Sequence, residues 1–388
     1  MRRFKLLALL MSFVLLLGLV AGCGGGSETT GGSDEDVIKV GFLGALTGDV
    51  ACYGIPGLNG LELAVEEINA KGGILGKKVV IVEEDNAGDK TEAAAITRKF
   101  ISKDKVNAII GDPCTGITIV AAKIAQENQM VLISPGACGE GAIDAGDYCF
   151  RNTLLDKMAC PAVTKYLIDK GYKNFALVTA INDEYSVGLS NYFRAALKEL
   201  GGNIVIDESI QRGDTNFAAQ VTKIKPTNPD IIIFTGYYQE AALFMKEVRK
   251  QGMNQVFVGG DGCLGEELYK LGGDAVEGSM VYCGFSPEQS RPEVQRFLDA
   301  YAEKHNGELA DMFSAQYYDA MYIVAEAMER AGSTDPKVYK DEMAKTKDFP
   351  GVSGVTTFGP DREPIKNPVF LLQVKDNSFK LLDTAEVI

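Results

Sequence analysis

Residues 107–128 read NAIIGDPCTGITIVAAKIAQEN, and the pattern changes character in the middle. The apolar run 106–110 has the length and branching of a buried strand, while after Gly111 the residues Ile117, Val120, Ala121 and Ile124 recur at helical spacing. Strand, turn and helix are therefore expected. Thr115 falls where the helix opens, so the first free N–H groups and the positive end of the helix dipole point out of the turn, a place for an anion. A second apolar run, 131–134, follows at once and ends in Pro135-Gly136-Ala137-Cys138, setting another backbone-rich turn beside the first. Ligands of open parallel sheets bind at such strand ends.

Upstream, 38–43 reads as a strand and 47–56 as a loop carrying Cys52-Tyr53-Gly54. Leu58, Leu61, Val65 and Ile68 then mark one face of a helix that Lys71-Gly72-Gly73 ends. A strand at 79–82 and a helix capped by Asp89 complete the approach to the central stretch. Downstream, strands at 175–179, 204–209, 231–235, 256–259 and 279–282 alternate with helices at 160–170, 187–200, 217–225, 240–251 and 266–271. Such alternation means βαβ units and parallel sheets. After Phe285 come long helices, 293–305, 314–331 and 337–345, then two short strands, 356–358 and 369–374. That helical block has no sheet of its own to cover, and the first sheet, ending near Asn152, lacks helices without it. The chain is expected to cross between two lobes more than once.

At 388 residues the chain exceeds what one core usually holds, so two domains are expected. Arg2, Arg3 and Lys5 precede an uncharged apolar run to Gly22, the pattern of a secretory signal over residues 1–22. Val20-Ala21-Gly22-Cys23 looks like a bacterial lipobox, with Cys23 lipidated and residues 23–36 a Gly/Ser-rich tether to a membrane surface. Removing residues 1–22 leaves 36 basic against 53 acidic groups, a net charge of −17, which argues against nucleic acid as a partner. Seven further cysteines, in a chain bound for an oxidising compartment, make disulfides expected. The pairings read here are Cys138 with Cys149 and Cys263 with Cys283, each joining a post-strand loop to a nearby strand.

Catalytic and cofactor motifs are missing. The one histidine, His305, sits at a helix end before Asn306-Gly307 and reads as a solvated terminus. There is no G-x-S-x-G elbow, no P-loop around Gly76-Lys77, no G-x-G-x-x-G after the first strand and no C-x-x-C pair for zinc. No cofactor or metal is expected. A thiol hydrolase using Cys114 at the helix N-terminus, where thiolate is favoured, is the rival enzyme reading, and it lacks a nearby histidine.

Several pieces, in order, carry a resemblance. They are Ile38-Lys39-Val40-Gly41, Leu46-Thr47-Gly48 with Tyr53-Gly54, and the run from Ala64 through Gly76. They continue with Ile109-Ile110-Gly111, Ile133-Ser134-Pro135, Phe150-Arg151-Asn152, Tyr185 with Gly188, Asn228-Pro229-Asp230, and Gly354 to Phe358. The chain from about Ile38 onward resembles the leucine/isoleucine/valine-binding proteins, the substrate-binding subunits of branched-chain amino acid ABC transporters. That resemblance implies an α/β fold of the type I periplasmic binding protein, two doubly wound parallel-sheet lobes joined by a three-strand hinge. It places lobe one at 37–152 plus 286–362 and lobe two at 153–285 plus 363–388.

The same resemblance implies a non-enzymatic, monomeric binding protein that closes on a small aliphatic amino acid and serves an ABC permease, extracytoplasmic and lipid-anchored. An amide, urea or aromatic acid as ligand, or a signalling receptor as partner, is the alternative on the same fold. Carried over residue by residue, the ligand carboxylate falls to Thr115 with backbone N–H groups near Cys114 and Cys138. The family usually has Thr or Ser where Cys138 stands. The ammonium falls to Asp261, the Gly136 carbonyl and Tyr185; Tyr53, Cys52 and Tyr237 line the side-chain pocket, and Tyr238 is left to packing.

Overall fold

The computed structural model describes residues 37–387. The expected signal, Cys23 and the tether lie outside the described residues. In chain order the elements are β1 (Val37–Gly44), α1 (Ala51–Ala70), β2 (Lys78–Asp85), α2 (Lys90–Lys99), β3 (Ala108–Gly111), α3 (Thr115–Glu127), β4 (Leu132–Ser134) and β5 (Cys149–Arg151). Then follow α4 (Asp156–Asp169), β6 (Asn174–Ala180), α5 (Glu184–Leu200), β7 (Asn203–Ile210), α6 (Ala218–Ile224), β8 (Ile231–Thr235), α7 (Tyr238–Lys250), β9 (Phe257–Gly259), α8 (Glu266–Gly272) and β10 (Met280–Cys283). The chain ends with α9 (Pro292–Lys304), α10 (Met312–Ala331), α11 (Pro336–Ala344), β11 (Phe349–Gly351), β12 (Gly354–Phe358), β13 (Pro364–Ile365), β14 (Val369–Val374) and β15 (Phe379–Ala385).

Sheet one has the order β2-β1-β3-β4-β5 and is parallel throughout. Apart from the edge strand β2, its strands are largely buried on both faces, which is why they read as apolar runs. Val40, Phe42, Ala108, Ile110 and Ile133 meet α1 and α10 on one face through Leu61, Val65, Met321 and Val324. Leu43, Ile109 and Leu132 belong to the cluster holding Ile96 and Phe100 below α2 and Ile117 and Ala121 of α3. The late helix α10 thus covers the first sheet, as its missing helices required.

Sheet two has the order β15-β14-β10-β9-β8-β6-β7. Five strands are parallel, but β14 and β15 are antiparallel additions, and β15 alternates exposed and half-buried residues too weakly to be read from sequence. A small antiparallel sheet, β11-β12-β13, follows α11. The chain leaves sheet one after β5, leaves sheet two after β10 for α9 to β13, and returns to sheet two with β14.

Two local expectations change. Cys52-Tyr53-Gly54 is not in a loop: α1 already begins at Ala51 and carries Pro56 within its second turn. A proline is a strong reason to end a helix, but here it falls near the N-terminus, where only the single hydrogen bond it cannot donate is lost. Neither expected disulfide exists, and all seven described cysteines are free. Cys138 Sγ points to Asp261 Oδ1 at 3.3 Å, whereas Cys149 Sγ points to the Ala122 carbonyl at 3.4 Å on the far side of the turn. Cys263 Sγ contacts the Gly236 carbonyl at 3.6 Å and Cys283 Sγ the Phe285 carbonyl at 2.9 Å, so each thiol is committed elsewhere.

The contact of α1 with α10 is close because Gly60 has no side chain; a Cβ there would lie 2.0 Å from the Ser314 carbonyl oxygen. Gly60→Ala should therefore push the two helices apart and lower stability by about 1–3 kcal/mol in urea unfolding, the usual range for overpacking. A loss below about 0.5 kcal/mol, as at ordinary surface positions, would contradict that packing.

Candidate functional site

The turn after β3 is held by Asp112. Its Oδ1 accepts from Cys114 N at 2.7 Å, its Oδ2 accepts from Asn86 Nδ2 at 2.7 Å, and its carbonyl accepts from Ser134 Oγ at 2.6 Å. Ser134 Oγ in turn accepts from Ala137 N at 3.0 Å, so the turns after β3 and β4 are tied into one unit. Gly111, at φ +131°, is required here, because a Cβ would lie 1.7 Å from the Leu43 carbonyl oxygen. Cys114 is the N-cap of α3 and makes no side-chain cap, so the N–H groups of the first turn keep their free ends. Thr115 Oγ1 accepts from Gly139 N at 3.1 Å, which leaves its own proton for another acceptor.

Facing this unit is the end of sheet two. Asp261 follows β9 in a short turn, Tyr185 sits in the first turn of α5, and Tyr237 caps α7. Gly262 N donates to Tyr185 Oη at 3.2 Å. Thr115, Cys114, Cys138 and Gly136 on one side, and Asp261, Tyr185 and Tyr237 on the other, line a single cavity together with Tyr53. Its free volume is about 20 Å³, room for little more than one water molecule, so the two walls stand close together. Of its lining residues only Asp261 carries a formal charge, and none is basic.

Cys52 does not line the cavity. It is one helical position from Tyr53, so it faces away, toward Tyr238, and burial followed by the Glu267 carboxylate pushes its thiol up. Three features escaped the sequence reading. Phe313 lines the cavity and packs on Tyr53 with ring centres 4.7 Å apart. Its position is set by Asp311, whose carboxylate accepts from Ser314 N in a capping box at the start of α10, a signal readable in the spacing. Arg212 lies 4.3 Å from the Tyr237 ring centre and pairs with Asp183 at 3.3 Å, holding that ring from behind. No local motif marks it.

The third is Asp156, 1% exposed, which accepts from Tyr282 Oη at 2.9 Å while its Oδ2 has no partner. Burial, then the charge of Asp156, pushes the Asp261 carboxyl up to about 7, against hydrogen bonds from Cys138 and Tyr185. Burial also raises Asp156, to about 6. Cys114 goes the opposite way from the thiolate expectation. Burial and then Asp112 hold its thiol well above the ordinary range, and the nucleophile reading loses its basis. His305 is remote from this cavity, stacked on Tyr301 at 4.5 Å with Nε2 buried and unpartnered rather than solvated.

Four contacts join the two walls. Tyr53 Oη donates to the Gly262 carbonyl at 2.6 Å, Cys138 Sγ meets Asp261 at 3.3 Å, and Tyr238 Oη donates to the Asp49 carbonyl at 2.9 Å. Lys90 pairs with Glu184 at 2.6 Å. The cavity is shut.

A family model described as periplasmic binding protein matches residues 37–378. The chain is 30% identical over 326 residues to the Leu/Ile/Val-binding protein BraC3 of Rhizobium johnstonii, covering 83% of this chain and 87% of that one. Its fold is similar to the leucine-binding protein LivK of Thermotoga maritima, with TM-score 0.85, 32% identity, and coverage of 90% and 99%. It is also similar to the branched-chain amino acid transporter substrate-binding protein LivJ of Streptococcus pneumoniae in complex with isoleucine, with TM-score 0.84, 35% identity, and coverage of 91% and 99%.

Folding favours the protonated forms of Asp156 and Asp261, so the stability they contribute is present below about pH 4 and lost as pH rises through 6 and 7. Asp156→Asn keeps an acceptor for Tyr282 and removes the charge. It should be more stable than the parent at pH 8 by on the order of 2 kcal/mol and nearly equal to it at pH 4. Urea unfolding at the two pH values checks this, and an equal offset at both would show that Asp156 does not titrate as described.

Proposed function

The chain belongs to the periplasmic binding protein family, and from that premise we propose that it captures a small aliphatic amino acid for an ABC importer. One observation carries the reading. The cavity pairs a helix N-terminus bearing a free hydroxyl at one end with a single buried carboxylate at the other, and no basic residue lines it. A ligand that satisfies both ends carries one negative and one positive group. The relatives whose names specify leucine, isoleucine and valine support an aliphatic side chain, which the rings of Tyr53, Tyr237 and Phe313 would enclose.

In this reading the ligand carboxylate takes the Thr115 hydroxyl and backbone N–H groups near Cys114 and Cys138, those of the first turn of α3 rather than the Cys114 N–H that Asp112 holds. Its ammonium takes Asp261, the Gly136 carbonyl and the Tyr185 hydroxyl. Two lobes, 37–152 with 286–362 and 153–285 with 363–388, close by a hinge made of the three chain crossings. The ligand favours closure because it touches both walls only when they meet. Release to a permease follows opening, and the mature protein is held outside the cytoplasm by lipid on Cys23. The cavity thiols bind no substrate covalently, since Cys114 and Cys138 are both pushed away from thiolate by burial.

A thermal-shift and calorimetric screen of the twenty amino acids should find a set of aliphatic ligands that raise the melting point. Asp261→Ala should weaken the best of them by about 3–5 kcal/mol, the usual effect of removing one partner of a buried charge pair. Because the ammonium requires ionised Asp261, affinity in the parent should fall about tenfold per pH unit below 7 and level off above it. If no amino acid shifts the melting point, or Asp261→Ala binds as the parent does, the assignment fails.

A further inference from the structure

A second cavity, with a volume of about 210 Å³, shares no lining residue with the first. It opens between the segment after β10, which brings Gln289 and Arg291, the segment before β14, which brings Lys366 and Asn367, and the β11–β12 turn at Ser353. Both charged residues that line it, Arg291 and Lys366, are basic. Such one-sided lining is unusual around a buried charge, which is ordinarily paired.

Lys366 is only 4% exposed, and its ammonium donates to Ser353 Oγ at 2.8 Å and to the Ser353 carbonyl at 3.4 Å. Among the described residues it forms no ion pair. The nearest acid acts at one remove: Ser353 Oγ donates to Asp319 Oδ2 at 2.5 Å, and the same carboxylate accepts from Val352 N at 2.8 Å and Ser353 N at 2.7 Å. Asp319 is thus filled by its own turn and reaches Lys366 only through Ser353; its charge opposes, without cancelling, the burial that lowers the lysine to about 8. Arg291 gives Nε and Nη2 to Glu293 and Nη2 also to the Gly351 carbonyl at 2.8 Å, leaving Nη1 without a partner among the described residues.

We propose that this cavity binds a small anion, a carboxylate or an inorganic oxyanion, held between the Lys366 ammonium and the Arg291 guanidinium. The anion supplies the charge partner that Lys366 lacks, and it joins two of the three chain crossings through one bound group. The site does not depend on what the first cavity holds. Asn367, beside Lys366 on the same segment, also lines the cavity.

The test is the melting point of the intact protein, without amino acid, titrated with sodium acetate and, separately, sodium phosphate at constant ionic strength set by sodium chloride. At least one of the two should give a saturable rise on the order of 2 °C, and which one does separates a carboxylate from an inorganic oxyanion. Lys366→Met should abolish the rise, Lys366→Arg should keep it, and Arg291→Gln should shift the titration midpoint at least fivefold to higher concentration. If neither anion gives a saturable rise in the parent, or the rise survives in Lys366→Met, the site does not exist. Should Lys366→Met fail to fold, an unchanged midpoint in Arg291→Gln overturns the proposal by itself.

Discussion

A buried carboxylate with no cation in contact is the constraint around which this molecule is arranged. Asp261 is 7% exposed, and its partners are a thiol, a phenol and a backbone N–H, none of them charged. Ionising it in that position is costly, and burial accordingly pushes its carboxyl up to about 7. An arginine or lysine beside it would have removed the problem, and under the function proposed above it would also have displaced the ligand's ammonium. Arg212, a guanidinium beside the site, is instead turned under the Tyr237 ring and paired with Asp183.

The opposite end of the cavity follows the same logic with dipoles. The tie from Asp112 to Ser134 and on to Ala137 fixes two strand-end turns, so the first turn of α3 faces the cleft with its N–H groups free. Fixed dipoles hold an anion without a counter-charge that would attract other anions from solvent. Closure contacts between the walls are modest by comparison. Lys90 and Glu184 are each nearly half exposed, so their pair contributes little, about 0–1 kcal/mol. The hydrogen bonds from Tyr53 and Tyr238 contribute about 1 kcal/mol each. Sums of that size are small enough that, in the closure proposed above, a ligand touching both walls would decide the balance.

Most of the fold was legible because a parallel sheet buried on both faces writes itself as apolar runs, and strand-end glycines and helical periods mark what lies between. What was not legible has particular causes. Pro56 concealed the first turn of α1, since proline near a helix start and proline at a helix end look alike without the three-dimensional frame. The edge strand β15 buries too little to show a pattern. The disulfides were inferred from compartment alone, and the thiols turn out to serve as small apolar groups and weak donors. At the site, residues on strand ends and turns could be placed by their punctuation. Phe313 and Asp156 could not, because each reaches the cleft from an element placed by a crossing of the chain, and Arg212 sits in the loop after β7 with no local motif to mark it.

Those crossings and the cleft are not separate parts. Helix α10 begins at the cavity with Phe313, continues to Gln316, whose Nε2 donates to Thr153 Oγ1 at 3.0 Å in the first crossing, and reaches Asp319 one turn later. Asn152 ties the same crossing to both neighbours, donating to the Gln316 carbonyl at 3.3 Å and accepting from Thr356 Oγ1 at 3.0 Å. Asp319 holds the turn whose serine receives the ammonium of Lys366 from the third crossing. A single rigid helix thus carries both a wall of the binding cavity and the anchor of the crossings. Any rotation of one sheet against the other must therefore turn about buried polar bonds of defined direction. Apolar packing alone would let the crossings slide; directional bonds restrict them to a few arrangements. Lys366 lies within that set of bonds, so in the hinge closure proposed above a change in its partner would act on the crossings themselves.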